Sequence, residues 1–135
     1  MKKILAIVAG VVVGFVIVFI GDATTHALSP IPANLNVADK TSIANYISTI
    51  PLYVMIIMAI FWLLSVFIGS MLAARINRSE WKNTALITGG ILMAASILNL
   101  MLIPHPLWMW LVVIIGYIPI AFIGGRMVRK KEMNS

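Results

Sequence analysis

The sequence predicts an all-α membrane protein, a bundle of four transmembrane helices with a short amphipathic periplasmic helix between helices 1 and 2. Composition is the first observation: 61% of the 135 residues are hydrophobic, 10% are charged, and the mean hydropathy is +1.05. Such values lie far outside the range of soluble domains. The length leaves room for one membrane domain over residues 1–135 and for no separate soluble module.

The second observation is the run of residues 83–125, which carries no charge and is interrupted at Pro104-His105-Pro106. Prolines remove amide donors and restrict the residues before them, so a straight helix through this point is disfavoured. Each half of the run is long enough to cross a bilayer. The run therefore predicts a membrane hairpin.

The first span is predicted over residues 4–24. This run also resembles a signal peptide, but it is longer than a usual apolar signal region and no clean cleavage pattern follows it. Small residues at helical spacing form one smooth face on which another helix can approach closely: Ala6, Gly10, Gly14 and Gly21. Packing within the chain is the simpler interpretation, and a homodimer seam is the alternative.

The connection over residues 25–50 is too long for a tight turn and too polar to cross the membrane. Asn36 and Asp39 are spaced like an N-cap residue and its N3 partner. Apolar residues follow at helical spacing: Ile43, Tyr46, Ile47 and Ile50. This pattern predicts a short amphipathic helix that lies on the periplasmic membrane surface.

The second span is predicted over residues 51–74, with Pro51 in its first turn. The third, over residues 83–103, carries Thr88 and Asn99 within one arc, while Gly90 and Ala94 lie on the other side. Such a helix is expected to have neighbours on two faces. Small residues also form a face of the second span: Ser65, Gly69 and Ala73.

The fourth span is predicted over residues 107–125, with a bend at Pro119. We expect the cytoplasmic tail, residues 126–135, to fray beyond its first turn.

The distribution of Lys and Arg predicts the orientation. Nine of the ten lie at the two termini or between the second and third spans, and only Lys40 lies on the other side. The positive-inside rule then places both termini in the cytoplasm. The basic residues flank apolar runs and form no patch typical of nucleic-acid binding. The chain has no cysteine, which excludes disulfides and thiolate metal sites.

Three residues near the outer end of the bundle are candidate metal or proton ligands. Asp22 and His26 are four residues apart and share a helix face if the first helix continues through them, and His105 lies in the hairpin turn. The alternative is that Asp22 and His26 are solvated or capping groups and His105 only turns the chain. A haem between the two histidines is disfavoured, because both lie close to one surface. No cofactor is expected.

Asn99 is the most deeply placed strong hydrogen-bonding side chain of the hairpin. One interpretation is an interhelical hydrogen bond in a dry contact. The other is a small cavity that recognises the polar part of a lipid or quinone-like molecule. Its candidate lining residues are Asn99, Thr88, Ser65 and Tyr117.

The apolar runs contain no Asp, Glu, Lys or Arg, which disfavours ion-coupled carriers and proton relays. The first hypothesis for function is a non-enzymatic structural or accessory protein that packs with itself or in a larger membrane complex. Its packing residues would be Gly10, Gly14, Gly69, Gly90 and Ala94. The alternative is a carrier or binding protein for a small hydrophobic molecule.

Four segments of the chain carry a resemblance: Gly21-Asp22, Pro30-Ile31-Pro32, the run from Asn99 to Trp108, and Gly124-Gly125-Arg126. Together they resemble a group of small bacterial four-span integral membrane proteins of unassigned function, over nearly the whole chain. The resemblance implies a multi-pass protein of the bacterial inner membrane. It implies no catalytic residues.

Overall fold

The computed structural model describes residues 1–103 and 105–133, with side chains described up to Arg129. Every regular element in this part of the chain is helical. The six α-helices are α1 (Lys2–Leu28), α2 (Lys40–Thr49), α3 (Leu52–Ile76), α4 (Trp81–Leu102), α5 (Leu107–Leu111) and α6 (Tyr117–Met133). A 3₁₀ turn (Arg78–Glu80) precedes α4, and a π-helical turn (Val112–Gly116) joins α5 to α6.

Four segments are long and apolar enough to cross a membrane: Lys2–Leu28, Leu52–Ile76, Arg78–Leu102 and Leu107–Arg129. Since ~20 apolar residues match the hydrocarbon core of a bilayer, the prediction of an all-helical chain with four candidate spans is confirmed.

The first helix is longer than predicted. It was expected to end near residue 24, but α1 continues to Leu28 and carries Asp22 and His26 within it. Two threonines are accommodated because their hydroxyls donate to carbonyls of the preceding turn: Thr24 to Ile20 (2.9 Å) and Thr25 to Asp22 (3.0 Å). The ionisable group of Asp22 is therefore part of a candidate span.

The amphipathic helix is present, but its predicted cap was wrong. Asp39 is the N-cap of α2, and its carboxylate accepts a hydrogen bond from the Thr41 amide (3.0 Å). Asn36 instead stabilises a turn before the helix, where its side-chain oxygen accepts from the Ala38 amide. No residue of α2 is buried, so this helix lies on the surface of the bundle.

The hairpin break is confirmed, since α4 ends at Leu102 and α5 begins at Leu107. Pro104, the first proline of the predicted break, lies outside the described residues. The π-helical turn ends three residues before Pro119, whose ring nitrogen cannot donate to a carbonyl of the preceding turn. The tail, residues 126–135, was expected to fray beyond its first turn, but α6 extends to Met133; residues 134 and 135 lie outside the described part.

Close helix contacts at small residues hold α1 against α3. The buried face of α1 contains Ala6, Gly10, Gly14 and Gly21, the smooth face that the spacing predicts. Gly10 meets Gly69, Gly14 meets the Ser65 carbonyl, and Gly21 meets Phe61. The two helices therefore run antiparallel.

In the described chain α3 and α4 pack together, and α1 and α6 each pack against both of them. The main core lies between α3, α4 and the last span. Its buried residues are Trp62, Val66, Leu92, Leu100, Met109, Val113, Tyr117 and Ala121.

Charged residues from both ends of the chain meet at one end of the bundle, which we call the basic end. Lys3 of α1 lies 3.7 Å from Glu80, which precedes α4. Arg129 of α6 lies 6.0 Å from the Trp81 ring. Exposed pairs of this kind add little stability, but they show that both ends of the chain approach the connection between α3 and α4. The opposite end, with residues 29–50 and the turn at His105, is the loop end.

Candidate functional site

A cavity of about 440 Å³ lies at the loop end of the bundle. All four helical spans contribute to it, and the connection with α2 covers it. Its lining residues are Asp22, Thr25, His26, Ser29, Ile31, Leu35, Val37, Ile43, Tyr46, Ile47, Ile50, Val54, Met55, Met58, Trp62, Asn99, Leu102, Ile103, His105 and Met109. The volume lies within the range of roughly 300 to 1,000 Å³ that small-molecule sites occupy.

The cover of the cavity is built by the amphipathic face of α2. Ile43, Tyr46, Ile47 and Ile50, the residues whose spacing predicts an amphipathic helix, all line the cavity. The Tyr46 hydroxyl donates to the Ser29 carbonyl at the end of α1 (3.0 Å) and ties α2 to the bundle. The apolar face predicted to contact the membrane thus faces the interior of the cavity.

The wall of the cavity is mainly apolar. Its α3 side presents Val54, Met58 and Trp62, which are spaced four residues apart and so share one helix face. Leu102 and Met109 close the side formed by α4 and α5. Met side chains adapt to irregular shapes, so this wall suits an apolar ligand.

The Asn99 side chain lines the cavity and makes no hydrogen bond with the described residues. The prediction of an interhelical hydrogen bond from this side chain is therefore not met. Only its backbone is engaged, where the Asn99 carbonyl accepts from the Ile103 amide. A strong polar group is thus available on a mainly apolar wall.

The other three residues predicted to surround the same cavity do not line it. The Ser65 hydroxyl donates to the Trp62 carbonyl (2.6 Å), and the Thr88 hydroxyl donates to the Thr84 carbonyl (2.8 Å). The Tyr117 hydroxyl is hydrogen-bonded to Ser96 (2.7 Å). Carbonyls of the same helix satisfy Ser65 and Thr88, and a residue of α4 satisfies Tyr117, so of the four predicted residues only Asn99 reaches the cavity.

Trp62 is the residue that sequence reasoning missed. Its side chain is 2% exposed, and its Nε1 has no hydrogen-bond partner in the described part of the chain. Buried polar groups are nearly always paired. A tryptophan in the middle of an apolar span, away from the membrane interface where its N–H finds water, is the sequence signal that could have found it.

The three predicted metal or proton ligands, Asp22, His26 and His105, do line one cavity. Within residues 1–103 and 105–133, however, no group of three or more His, Asp or Glu side chains is placed to hold a metal ion. His26 is exposed at the rim. The fold brings these three side chains to one cavity, but it does not arrange them as ligands of a metal ion.

His105 is the best defined of the three. Its Nδ1 donates to the Ile103 carbonyl (2.6 Å), and its ring lies 5.8 Å from the Trp62 ring. Partial burial lowers the pKa of His105 below its ordinary value, although the hydrogen bond to Ile103 and the Asp22 charge oppose this shift. The neutral imidazole then presents Nε2 to its surroundings as an acceptor.

Some of the predicted packing residues lie in contacts between helices, and others do not. Gly10, Gly14 and Gly69 lie in contacts between helices of the same chain. Gly90, by contrast, has no atom within 4 Å of the place that a Cβ would take, and Ala94 is exposed. The second small-residue face of α4 therefore has no neighbour in the described part of the chain.

No protein-family model, curated protein or solved structure matches this chain. What the cavity does is therefore inferred from its own geometry.

Proposed function

We propose that this protein binds a small hydrophobic molecule, lipid or quinone-like, in the cavity at the loop end. One observation carries the proposal: the cavity combines a mainly apolar wall with a partly exposed Asn99 side chain that lacks a hydrogen-bond partner in the described chain. Small-molecule sites typically consist of an apolar enclosure with a few placed polar groups. The ligand's polar atoms would pair the Asn99 amide, which the protein leaves unpaired.

Packing between membrane proteins, the first hypothesis from sequence, is the second candidate. It was based on glycine faces and on the absence of ionisable groups inside the spans, and the faces that contain Gly10, Gly14 and Gly69 are occupied within the chain. A bilayer would cover the face of Gly90 and Ala94. Binding in the cavity explains features that packing leaves unexplained, namely the polar groups at the loop end.

A membrane setting supports the same proposal. The chain would lie in a bacterial inner membrane with both termini in the cytoplasm, because nine of the ten Lys and Arg residues of the sequence lie at the two termini or between the second and third spans. The loop end would then face the periplasm. A hydrophobic ligand would reach the cavity from the outer leaflet, beneath the surface helix α2.

Native mass spectrometry of protein extracted gently from membranes tests this function. We expect one small molecule to remain bound at one copy per chain in at least one mild detergent. Protein that is bare in several mild detergents would overturn the proposal. A defined oligomer without a bound small molecule would restore the packing hypothesis.

A further inference from the structure

At the basic end, the helices α4 and α6 place cations beside aromatic and apolar side chains. We propose that this surface binds the phosphate head group of an anionic phospholipid. We call it the α4–α6 corner, and its residues are Trp81, Lys82, Ile118, Phe122, Arg126 and Arg129. The corner lies at the end opposite the cavity, so it is independent of the ligand proposed there and presupposes only a membrane setting.

Two aromatic rings form the centre of the α4–α6 corner. Trp81 begins α4, and its ring centroid lies 5.8 Å from that of Phe122 in α6. The two helices approach closely here, because a Cβ atom built at Gly125 would lie 2.6 Å from the Ala85 Cβ and 3.1 Å from the Trp81 ring. The position of the ring pair is therefore set by the packing of α6 against α4.

Each ring has a cation beside it. The Lys82 Nζ lies 5.8 Å from the Phe122 ring centroid, and the Arg129 Cζ lies 6.0 Å from that of Trp81. Contacts of this kind attract a cation to the ring face. Both side chains are exposed, and neither makes a hydrogen bond or ion pair with the described residues. The rings thus orient two cations whose N–H donors are available to an anion.

A third cation lies on the same face of α6. At about 100° per residue, Phe122, Arg126 and Arg129 fall within an arc of roughly 60°, and Arg126 is exposed. Ile118, which is 37% exposed, continues this face one turn closer to the middle of the bundle. The face therefore changes from apolar to cationic towards the basic end, which matches the tail and the head of an anionic phospholipid.

The acidic residues of the chain do not neutralise this corner. Asp22 lines the cavity and Asp39 caps α2, so both belong to the loop end. Glu80 is paired with a cation of α1. Glu132 lies beyond the described side chains, and the segment 126–132 sets four Lys or Arg residues against this one Glu. The corner keeps an excess of positive charge, for which a lipid phosphate would be the counter-charge.

A phospholipid suits the corner better than a free anion does. Each Lys or Arg near an anionic membrane surface strengthens binding about 5-fold. A free phosphate would meet the same cations but would leave the exposed side chain of Ile118 uncovered. An acyl chain beneath the head group would cover it. If both termini are cytoplasmic, this lipid belongs to the cytoplasmic leaflet.

The test compares two lipids that share the same acyl chains, phosphatidylglycerol and phosphatidylcholine. Each is titrated into the full-length protein in one mild detergent, and bound lipid is counted by native mass spectrometry. We expect phosphatidylglycerol to bind at least about 5-fold more tightly, because it carries a net negative charge. The triple variant Lys82→Gln, Arg126→Gln, Arg129→Gln should bind the two lipids equally.

Two further triple variants are the controls. The first removes the same charge from exposed residues outside the corner and should keep the preference of the parent: Lys2→Gln, Lys40→Gln, Arg75→Gln. The second conserves the charges of the corner and should also keep the preference: Lys82→Arg, Arg126→Lys, Arg129→Lys. Melting temperatures confirm that each variant is folded before its lipid binding is compared.

Equal binding of the two lipids by the parent would overturn the proposal, and so would a preference that survives removal of the three cations. A preference that the first control also loses would show that net charge, not the corner, selects the lipid. Displacement of phosphatidylglycerol by an equal concentration of inorganic phosphate would reveal a free-anion site and would overturn the lipid assignment. None of these results bears on the cavity, which lies at the loop end.

Discussion

The backbones of Gly10 and Gly69 meet directly. A Cβ atom built at Gly10 would lie 2.5 Å from the Gly69 carbonyl oxygen, and one built at Gly69 would lie 2.6 Å from the Gly10 carbonyl oxygen. No side chain separates α1 from α3 at this point, since only glycine permits such an approach. This contact brings α1 close to α3 and so helps to hold the Asp22 wall of the cavity against the Trp62 wall.

Gly10→Ala should therefore destabilise the protein. The added methyl group would meet backbone and the Ala73 side chain, which cannot move aside without shifting a helix. Overpacking of this kind costs about 1 to 3 kcal/mol. Gly90→Ala is the matched control, because nothing lies within 4 Å of the Cβ position there. Thermal unfolding in detergent measures both, and equal melting temperatures for the two variants would contradict the packing described.

Asn99 offers a second prediction. Since its side chain has no hydrogen-bond partner among the described residues, Asn99→Leu should change the free energy of unfolding by no more than about 1 kcal/mol. Asn99→Asp should also fold with near-parental stability, because water in the cavity can solvate the carboxylate. Thermal melts of the two variants decide this. An Asp variant far less stable than the Leu variant would show that Asn99 lies in a dry contact.

Hydropathy and residue spacing predicted the spans and the smooth face of α1 from sequence alone. These features depend on composition and on helical period, which a single sequence displays directly. The site was harder to predict. Asn99 reaches the cavity, whereas Ser65 and Thr88 bond to their own helices. That difference depends on how the four helices are rotated, and spacing within one helix does not determine rotation.

The cover of the cavity was also beyond sequence reasoning. The periodicity of Ile43, Tyr46 and Ile47 indicates an apolar face, but a membrane surface and a protein cavity are equally apolar. The hydrogen bond from Tyr46 to the Ser29 carbonyl, 17 residues earlier in the chain, holds this apolar face against the cavity. Contacts at that separation leave no local signal.

His105 predicts a pH dependence of stability. Its pKa in the folded protein is lowered below the ordinary value of 6.5. As the pH falls below that value, the unfolded chain binds a proton that the folded chain resists, so the folded state loses stability. For a single proton the slope is at most about 1.4 kcal/mol per pH unit. The stability that the neutral His105 imidazole contributes is fully present above the ordinary pKa of 6.5. It is lost as the pH falls from there through the lowered pKa of the folded protein.

His105→Gln tests this effect, because the other titratable groups that line the cavity, Asp22, His26 and Tyr46, remain in both proteins. Melting temperatures of parent and variant are compared from about pH 7.5 to 5.5. The parent should lose stability more steeply on acidification. Parallel curves for the two proteins would show that His105 does not titrate differently on unfolding.

The orientation predicts which end of the bundle is accessible from outside the cell. The chain has no cysteine, so single introduced cysteines can be labelled without background. Asn36→Cys, in the exposed part of the connection, should react with an impermeant maleimide in intact cells or spheroplasts. Ser79→Cys, exposed at the basic end, should react only after permeabilisation. The reverse pattern would invert the topology and place the cavity on the cytoplasmic side.

Occupancy of the cavity is tested most directly by placing a larger side chain on α2, the helix that covers it, and counting the bound molecules. Ile43→Trp enlarges a side chain that lines the cavity, while Asn45→Trp places the same bulk on the exposed face of the same helix. Because no residue of α2 is buried, both variants should fold. Native mass spectrometry of the gently extracted proteins should show one bound small molecule in the parent and in Asn45→Trp, and none in Ile43→Trp. Equal occupancy in all three, or in none, would contradict the assignment of this cavity as the binding site.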